Sequence, residues 1–321
     1  VKVLFTADLH IKLGQKNVPI EWAKNRYHSL FGQIHRLEKE VELLIIGGDI
    51  FDRLPTMEEL ELYYDLISAI SIPTIIYSGN HEALKKNTTF LTNLSRSTQW
   101  INHRVEIVDD YYSLKGIDFI PYNKLKEWEK NPDNTFVSLH NNVLCTHVRG
   151  DIPPHVKAEV DLSLFERWKT VLAGDLHSYS NSQRNILYPG SPVTTRFHRN
   201  LVDTGIIIFD TVSHVHEWKK LEVPQLIRKT IKAGDPMPAT DYHHTVYEVQ
   251  GDMAELSNME HSDLLDKKIS VRDTDTTLML DPSMSISDEV EEYARYILQL
   301  NDSTVSSMLA VLNQHIGELK E

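Results

Sequence analysis

Short apolar runs, each closed by glycine or a polar side chain, recur through the first two-thirds of the chain: "VKVLFTA" at 1–7, "ELLIIGG" at 42–48, "IPTIIYS" at 72–78, "NNVLCTH" at 141–147 and "TVLAGD" at 170–175. They are too short for helices and do not alternate, which is the pattern of strands buried on both faces. Helical patterns lie between them. In "TMEELELYYDLISAI", Leu60, Tyr63, Tyr64, Ile67 and Ala69 or Ile70 fall near one face, with Pro55 ahead and Thr56 and Glu59 at capping-box spacing. This strand-helix alternation predicts an α/β (α+β) fold of sheet layers covered by helices. Open sheets of this kind take ligands beyond the carboxyl ends of their strands.

From about 183 to 222 the pattern changes. "NILYPGSPV", "TGIIIFDTV" and "SHVHEWKKLEV" predict strands joined by turns, an antiparallel closing segment. Pro224 opens a different region, in which "HTVYEVQGD" and "KISVRDTD" read as strands flanking a polar stretch able to form a helix. Residues 285–321 show two helical faces, one with Val290, Tyr293, Ala294, Ile297 and Leu298 and one with Val305, Met308, Leu309, Leu312, Ile316 and Leu319, separated by "NDS" at 301–303. The expected organisation is a main domain over 1–222, a small αβ module over 223–281 and a helical hairpin over 285–321. The hairpin either packs on its own domain or docks another protein.

With 321 residues and 41% apolar content, the chain can bury one sizeable core and support one or two small modules. Its apolar stretches, "LLIIGG" and "IIIF" among them, are strand-sized, so no bilayer span is expected. The amino terminus runs straight into a strand without a small-residue cleavage pattern, so no signal peptide is expected. Cys145 is the only cysteine and reads as a small buried strand residue, in keeping with a reducing cytoplasm. A net charge of −13 argues against a broad basic face for nucleic acid. It leaves open nucleic acid handled by metal ions or through a partner.

Each of the five apolar runs delivers metal-binding side chains at its end: Asp8 and His10 in "ADLH", Asp49 in "GGDIFD", Asn80 and His81 in "GNHE", His147 in "CTH", and Asp175 and His177 in "GDLH". Singly, each has an ordinary explanation as a helix cap, a turn or a satisfied buried histidine. Together, in order at five strand ends, they predict a shared site. Carboxylate, imidazole and amide oxygen form a mixed nitrogen and oxygen donor set suited to manganese, iron or zinc, without the thiolates of a structural zinc site. A carboxylate can bridge two cations, and the central Asp49 is the expected bridge. Two cations held about 3.5 to 4 Å apart support in-line hydrolysis of a phosphoester.

With those motifs in that order, the chain resembles the calcineurin-like metallophosphoesterases. The continuation "YPGSPVTTRF" at 188–197 is similar to the segment after the last metal motif in SbcD-type nuclease subunits of DNA double-strand-break repair. The resemblance spans residues 8 to about 197, and short length with lean loops fits a phage or bacterial source. It implies a four-layered βαβ-sandwich core with a small capping module and a terminal helical pair, manganese, and exonuclease and endonuclease activity on DNA in recombination and repair. Carried over by position, it puts Asp8, His10, Asp49 and His177 on one metal and Asp49, Asn80, His147 and Asp175 on the other. His81 would stand beside the scissile phosphate, stabilising charge or giving a proton to the leaving oxygen.

Two positions depart from the family's commonest pattern. Asp175 stands where a histidine is usual, which adds negative charge, and Asp52 stands where some relatives have a second histidine that assists catalysis. The resemblance also implies an ABC-type ATPase of the SbcC kind, whose coiled-coil base residues 285–321 would grip, a DNA-facing module at 223–281, and possible homodimers. Lys85, Lys86, Arg149 and Arg196, all near motifs, are candidate phosphate contacts or solvated surface charges. Against the nuclease reading stand a phosphodiesterase for small substrates, disfavoured by the hundred residues after 222, and a weakly catalytic scaffold that binds DNA and an ATPase.

Overall fold

The computed structural model describes residues 1–85, 88–132, 139–240, 242–270, 284–298 and 300–318. Two sheets carry the fold. The first runs in the order His216–Lys220, Gly205–Asp210, Lys2–Thr6, Leu43–Gly47, Thr74–Tyr77, Val105–Val108. The second runs Ile186–Leu187, Thr170–Gly174, Val143–His147, Ile117–Ile120, Tyr112–Leu114. Strands 2–6, 43–47 and 74–77 are parallel neighbours in the first sheet, and 143–147 and 170–174 are parallel neighbours in the second.

The strand side chains explain the layering. Val3, Phe5, Leu43, Ile45, Ile75 and Tyr77 from the first sheet pack against Ile117, Phe119, Val143, Cys145 and Leu172 from the second. The alternate residues Leu4, Leu44, Ile46 and Ile76 face outward onto helices Ile20–Leu37 and Met57–Ala69. On the far side, Leu144, Val171 and Ala173 pack under helix Tyr122–Lys130 and the 3-10 turns Leu162–Arg167, with Trp128, Phe165 and Trp168 between. Four layers result, and the central strands 43–47, 74–77, 143–147 and 170–174 are buried on both faces, which is why their sequences show no alternation. Cys145 lies fully buried between the sheets, as a small apolar strand residue.

Helix Met57–Ala69 starts on the predicted box: Glu59 N donates to Thr56 Oγ1 at 3.3 Å and Thr56 N to Glu59 Oε2 at 2.9 Å. Thr56→Ala is expected to lower stability by about 1 kcal/mol, read as a shift of the denaturant midpoint with unchanged slope. The buried face is rotated from the predicted one. Leu62 and Leu66 join Tyr63 and Ile67 in the core, Leu60 and Tyr64 are partly buried, and of the alternatives Ala69 and Ile70 it is Ile70 that is buried while Ala69 is exposed.

The closing segment departs from expectation in part. Gly205–Asp210 pairs antiparallel with Lys2–Thr6 on one side and with the edge strand His216–Lys220 on the other, as the turn-rich pattern predicts. "NILYPGSPV", by contrast, contributes only Ile186–Leu187, parallel to Thr170–Gly174. Its Pro-Gly and Ser-Pro steps end pairing after two residues, and the chain turns away toward the first sheet.

Contacts divide the chain into two compact units, 1–231 with 236–248 and 261–267, and 232–235 with 249–260 and 268–321. In the second, helix Ile286–Glu292 opens on a Ser285–Asp288 capping box, and helix Asp302–Glu318 follows. The first predicted helical face is interrupted by a π turn at Tyr293–Ile297, where Leu298 N donates to Tyr293 O at 3.1 Å. The wider turn breaks the 3.6 period, so Ala294 is buried while Tyr293 and Leu298 stay exposed; in the second helix Val305 is buried. Residues 271–281 and Leu319 lie outside the described residues.

Candidate metal centre

The carboxyl ends of strands 2–6, 43–47, 74–77, 143–147 and 170–174 meet where the two sheets come together. Glycines permit the approach. A Cβ on Gly48 would stand 2.6 Å from both Gly79 N and His147 Nδ1, and one on Gly79 would collide with the Asp49 carboxylate. Immediately past the strands the backbone takes left-handed turns at Asp8 (φ 57°), His10 (φ 45°), Asp49 (φ 50°) and Asp175 (φ 99°). Such conformations disfavour L residues and gather at functional sites. Here they aim four candidate ligands inward.

One set of donor atoms comprises Asp8 Oδ1, His10 Nε2, His177 Nε2 and Asp49 Oδ2. His10 Nε2 lies 3.0 Å from His177 Nε2, 4.0 Å from Asp8 Oδ1 and 3.8 Å from Asp49 Oδ2, and His177 Nε2 lies 3.9 Å from Asp8 Oδ1. A second set shares Asp49 Oδ2, which is 3.5 Å from His147 Nε2; that nitrogen is 2.9 Å from Asn80 Oδ1 and 3.9 Å from Asp175 Oδ1. Ligands about 2.1 Å from a common cation stand roughly 3.0 to 3.4 Å apart as octahedral or tetrahedral neighbours. Two of the observed separations, 2.9 and 3.0 Å, lie at the short end of that spacing, and the others, 3.5 to 4.0 Å, are wider.

Hydrogen bonds fix which atoms face the cluster. His147 Nδ1 donates to the Gly47 carbonyl at 2.8 Å, which turns Nε2 toward the cluster. His81 N donates to Asp49 Oδ1 at 2.9 Å, leaving Oδ2 as the shared atom. His81 Nδ1 donates to the Asp52 carbonyl at 2.6 Å, and its Nε2 stands 3.9 Å from Asp49 Oδ2. Asp52 does not take the place of a second histidine in the cluster. Its carboxylate stands 3.7 Å from His10 Nδ1 and pairs with Lys12 Nζ at 2.6 Å.

The electrostatics show a cluster that demands positive charge. Burial, reinforced by Asp49, holds the Asp8 carboxyl well above the usual range, and burial pushes Asp175 up to about 6. Burial alone would lower His147, yet Asp49 beside it holds that imidazole well above its ordinary value. Asp49 stays below the usual carboxylate range despite burial, because His147 faces it. Three overlapping trios, Asp8 with His10 and His177, His10 with Asp49 and His81, and Asp8 with Asp49 and His147, bring their donor atoms within 4.8 Å of one another, with Asn80 and Asp175 beside His147, and this mixed nitrogen and oxygen set fits divalent cations.

Sequence reasoning missed Glu82, the last residue of "GNHE". It is fully buried and accepts from Asp49 N at 2.9 Å, Gly79 N at 2.8 Å and Phe51 N at 3.1 Å. Burial, with Asp49 nearby, raises its carboxyl to about 7. One side chain therefore ties the loop carrying Asp49 to the loop carrying Asn80 and His81. Its signal in the sequence was a carboxylate next to two ligand types, but acceptors for three backbone N–H groups cannot be seen without the fold.

A cleft of about 740 Å³ opens beside the cluster, with Asp175 and His177 on its wall together with Arg149 and Arg196. Of the remaining candidate phosphate contacts, Lys86 and the Lys85 side chain lie outside the described residues. No helix among the described residues is long and apolar enough to cross a membrane.

Comparison with known proteins adds the family. The calcineurin-like phosphoesterase family matches residues 1–209. The chain is 40% identical over 334 residues to a protein of Escherichia phage T5 named "Probable exonuclease subunit 1", covering 99% of each. It is 27% identical over 135 residues to the SbcD component of the SbcCD nuclease from Staphylococcus epidermidis, covering 40% of this chain and 36% of that one.

Proposed function

Because the chain belongs to the calcineurin-like phosphoesterase family, we propose that it is a manganese-dependent DNA nuclease subunit that hydrolyses phosphodiesters at a two-cation site. The observation that carries this reading is the position of Asp49 Oδ2 within 4 Å of His10 Nε2 on one side and His147 Nε2 on the other. The names of the phage and staphylococcal relatives, an exonuclease subunit and a nuclease subunit, favour DNA over a small ester.

Asp8, His10 and His177 would hold one cation and Asn80, His147 and Asp175 the other, with Asp49 shared. Bound there, divalent cations acidify water and neutralise phosphoryl oxygens. The third carboxylate, Asp175, hardens the donor set and favours manganese over zinc. His81 acts on the leaving side. With Nδ1–H committed to the Asp52 carbonyl, a proton on Nε2 passes to the departing ester oxygen as the phosphorus–oxygen bond breaks, and the attacking water bonds to phosphorus as it gives one proton to solvent. The exposed apolar side chains Ile286, Tyr293, Leu298 and Val311 of the 285–321 segment suit docking of the coiled-coil base of an ATPase partner. The module at 223–281 is assigned to DNA contact.

His81→Ala tests the assignment. Manganese-dependent cleavage of DNA should fall about a hundredfold or more, while a nitrophenyl phosphodiester, whose leaving group departs without protonation, should lose much less. Equal losses on both esters would count against His81 as the proton donor.

A further inference from the structure

Helix Ile20–Leu37 buries Ala23, Arg26, Tyr27, Leu30, Phe31 and Ile34, one face at helical spacing. An arginine is out of place on such a face. Arg26 is only 2% exposed, and a buried charge is costly unless it is well partnered. Its partners among the described residues are a carbonyl, a phenol and two rings rather than a carboxylate. One guanidinium nitrogen donates to the Thr194 carbonyl at 3.0 Å and another to Tyr27 Oη at 3.4 Å, and the group lies 5.3 Å over the Trp22 ring and 5.1 Å over the Tyr27 ring. Tyr27, fully buried, is committed as well: its Oη donates to the His10 carbonyl at 2.5 Å and accepts from Lys12 N at 3.1 Å. A face that apolar side chains could pack therefore carries two polar ones aimed at the chain around the metal centre.

The bend at His10 depends on them. Its φ of 45° persists in an L residue only where the surroundings fix it. The main chain holds one side of the bend, His10 N donating to Asp49 O at 2.9 Å and Ile11 N to Ile50 O at 2.7 Å. The His10 carbonyl and Lys12 N meet the Tyr27 phenol instead. The His10 ring has no comparable anchor. A metal-binding histidine ordinarily donates its other ring nitrogen to an acceptor, as His147 Nδ1 does to Gly47. Among the described residues the buried His10 Nδ1 has no hydrogen-bond partner, and Asp52 Oδ1 stands 3.7 Å away. His81 and His177 touch the ring edge-on, but both are more exposed than His10. The direction of this imidazole is therefore set through its backbone. Arg26 extends the support to Asp8, because the segment whose Thr194 carbonyl it holds also places Ser191 Oγ on the Asp8 carbonyl at 2.7 Å.

We propose that Tyr27, braced by Arg26, is the positioning residue for the Asp8 and His10 side of the metal centre, an inference that rests on the two-cation reading above. The phenol does for His10, through the main chain, what the Gly47 carbonyl does for His147 through the ring. Its loss should therefore fall on one cation of the pair.

The test uses the full chain, with manganese titration calorimetry and with hydrogen exchange of the metal-free chain in EDTA. Tyr27→Phe keeps the ring and removes the oxygen. It is expected to weaken one of two manganese sites roughly tenfold to a hundredfold and to leave the other at the parental affinity. The Lys12 amide should exchange faster in EDTA, where no cation takes part, and excess manganese should restore most of the hydrolysis of a nitrophenyl phosphodiester. Arg26→Met, neutral and able to fill the buried position, should weaken the same site by less, which keeps the assignment testable if Tyr27→Phe folds poorly. Phe31→Leu, one turn along the same buried face, controls for lost packing: it should lower the melting temperature and keep both affinities. Tyr27→Phe and Arg26→Met with both sites parental or both weakened alike, an unchanged Lys12 exchange rate in Tyr27→Phe, or a Phe31→Leu that weakens the same site as much, would overturn the positioning role. A parent that binds fewer than two manganese ions would instead remove the two-cation reading, and the role with it.

Discussion

Asp49→Asn is expected to reduce manganese-dependent phosphodiester hydrolysis by about a thousandfold or more while leaving the fold in place. Asparagine matches aspartate in shape and tolerates the φ of 50° found there. Its carbonyl can still accept from His81 N, as Asp49 Oδ1 does at 2.9 Å. The amide NH2 must then occupy the position of Oδ2, the atom shared between the His10 and His147 sides. A donor replaces an acceptor and one negative charge is lost where two cations would meet. Charge stabilisation by such ions is worth several kcal/mol in the transition state, and each 1.36 kcal/mol is tenfold in rate. Steady-state kinetics on the nitrophenyl phosphodiester, with a thermal melt as the folding control, checks the outcome. A variant within tenfold of the parent would show that Asp49 bridges nothing.

Glu82→Ala should damage the same site without touching any substrate. The carboxylate satisfies three buried backbone N–H groups, those of Asp49, Gly79 and Phe51. Each group left unpaired costs about 1 to 3 kcal/mol. Against this stands relief from burying a carboxyl whose value is raised to about 7, worth on the order of 3 kcal/mol. The lost acceptors outweigh that relief, so the melting temperature should fall. Because Glu82 ties the Asp49 loop to the Asn80 and His81 loop, manganese affinity and activity should each drop about tenfold to a hundredfold, the usual effect of losing an outer support. Glu82→Gln should recover only part, since its NH2 opposes one of the N–H donors. Lower stability with unchanged manganese affinity would make Glu82 a fold residue alone.

The runs ending in Asp8, Asp49, Asn80, His147 and Asp175 were legible because strands buried on both faces are uniformly apolar, so a polar residue at their ends stands out. Their division between two sheets was not legible. Both sheets are buried on both sides, and Leu43–Gly47 and Val143–His147 therefore look alike in sequence. The strands Val105–Val108, Tyr112–Leu114 and Ile117–Ile120 escaped because they are three or four residues long and lie among charged and aromatic residues. Ile186–Leu187 was read in the wrong direction, since turn chemistry around Pro189 and Pro192 marks an interruption without saying which neighbour the strand pairs with. Supporting contacts were least legible. Glu82 and Asp52 act through backbone groups and through other side chains, which leave no periodic trace.

The most direct test of the account is the manganese stoichiometry of the purified chain, measured by titration calorimetry and by metal analysis after gel filtration, for the parent and for Asp49→Asn. The account predicts two manganese ions per parent chain and a clear loss of binding in the variant, because the shared oxygen serves both sides. One ion per parent chain, or a variant that still binds two with parental affinity, would contradict it.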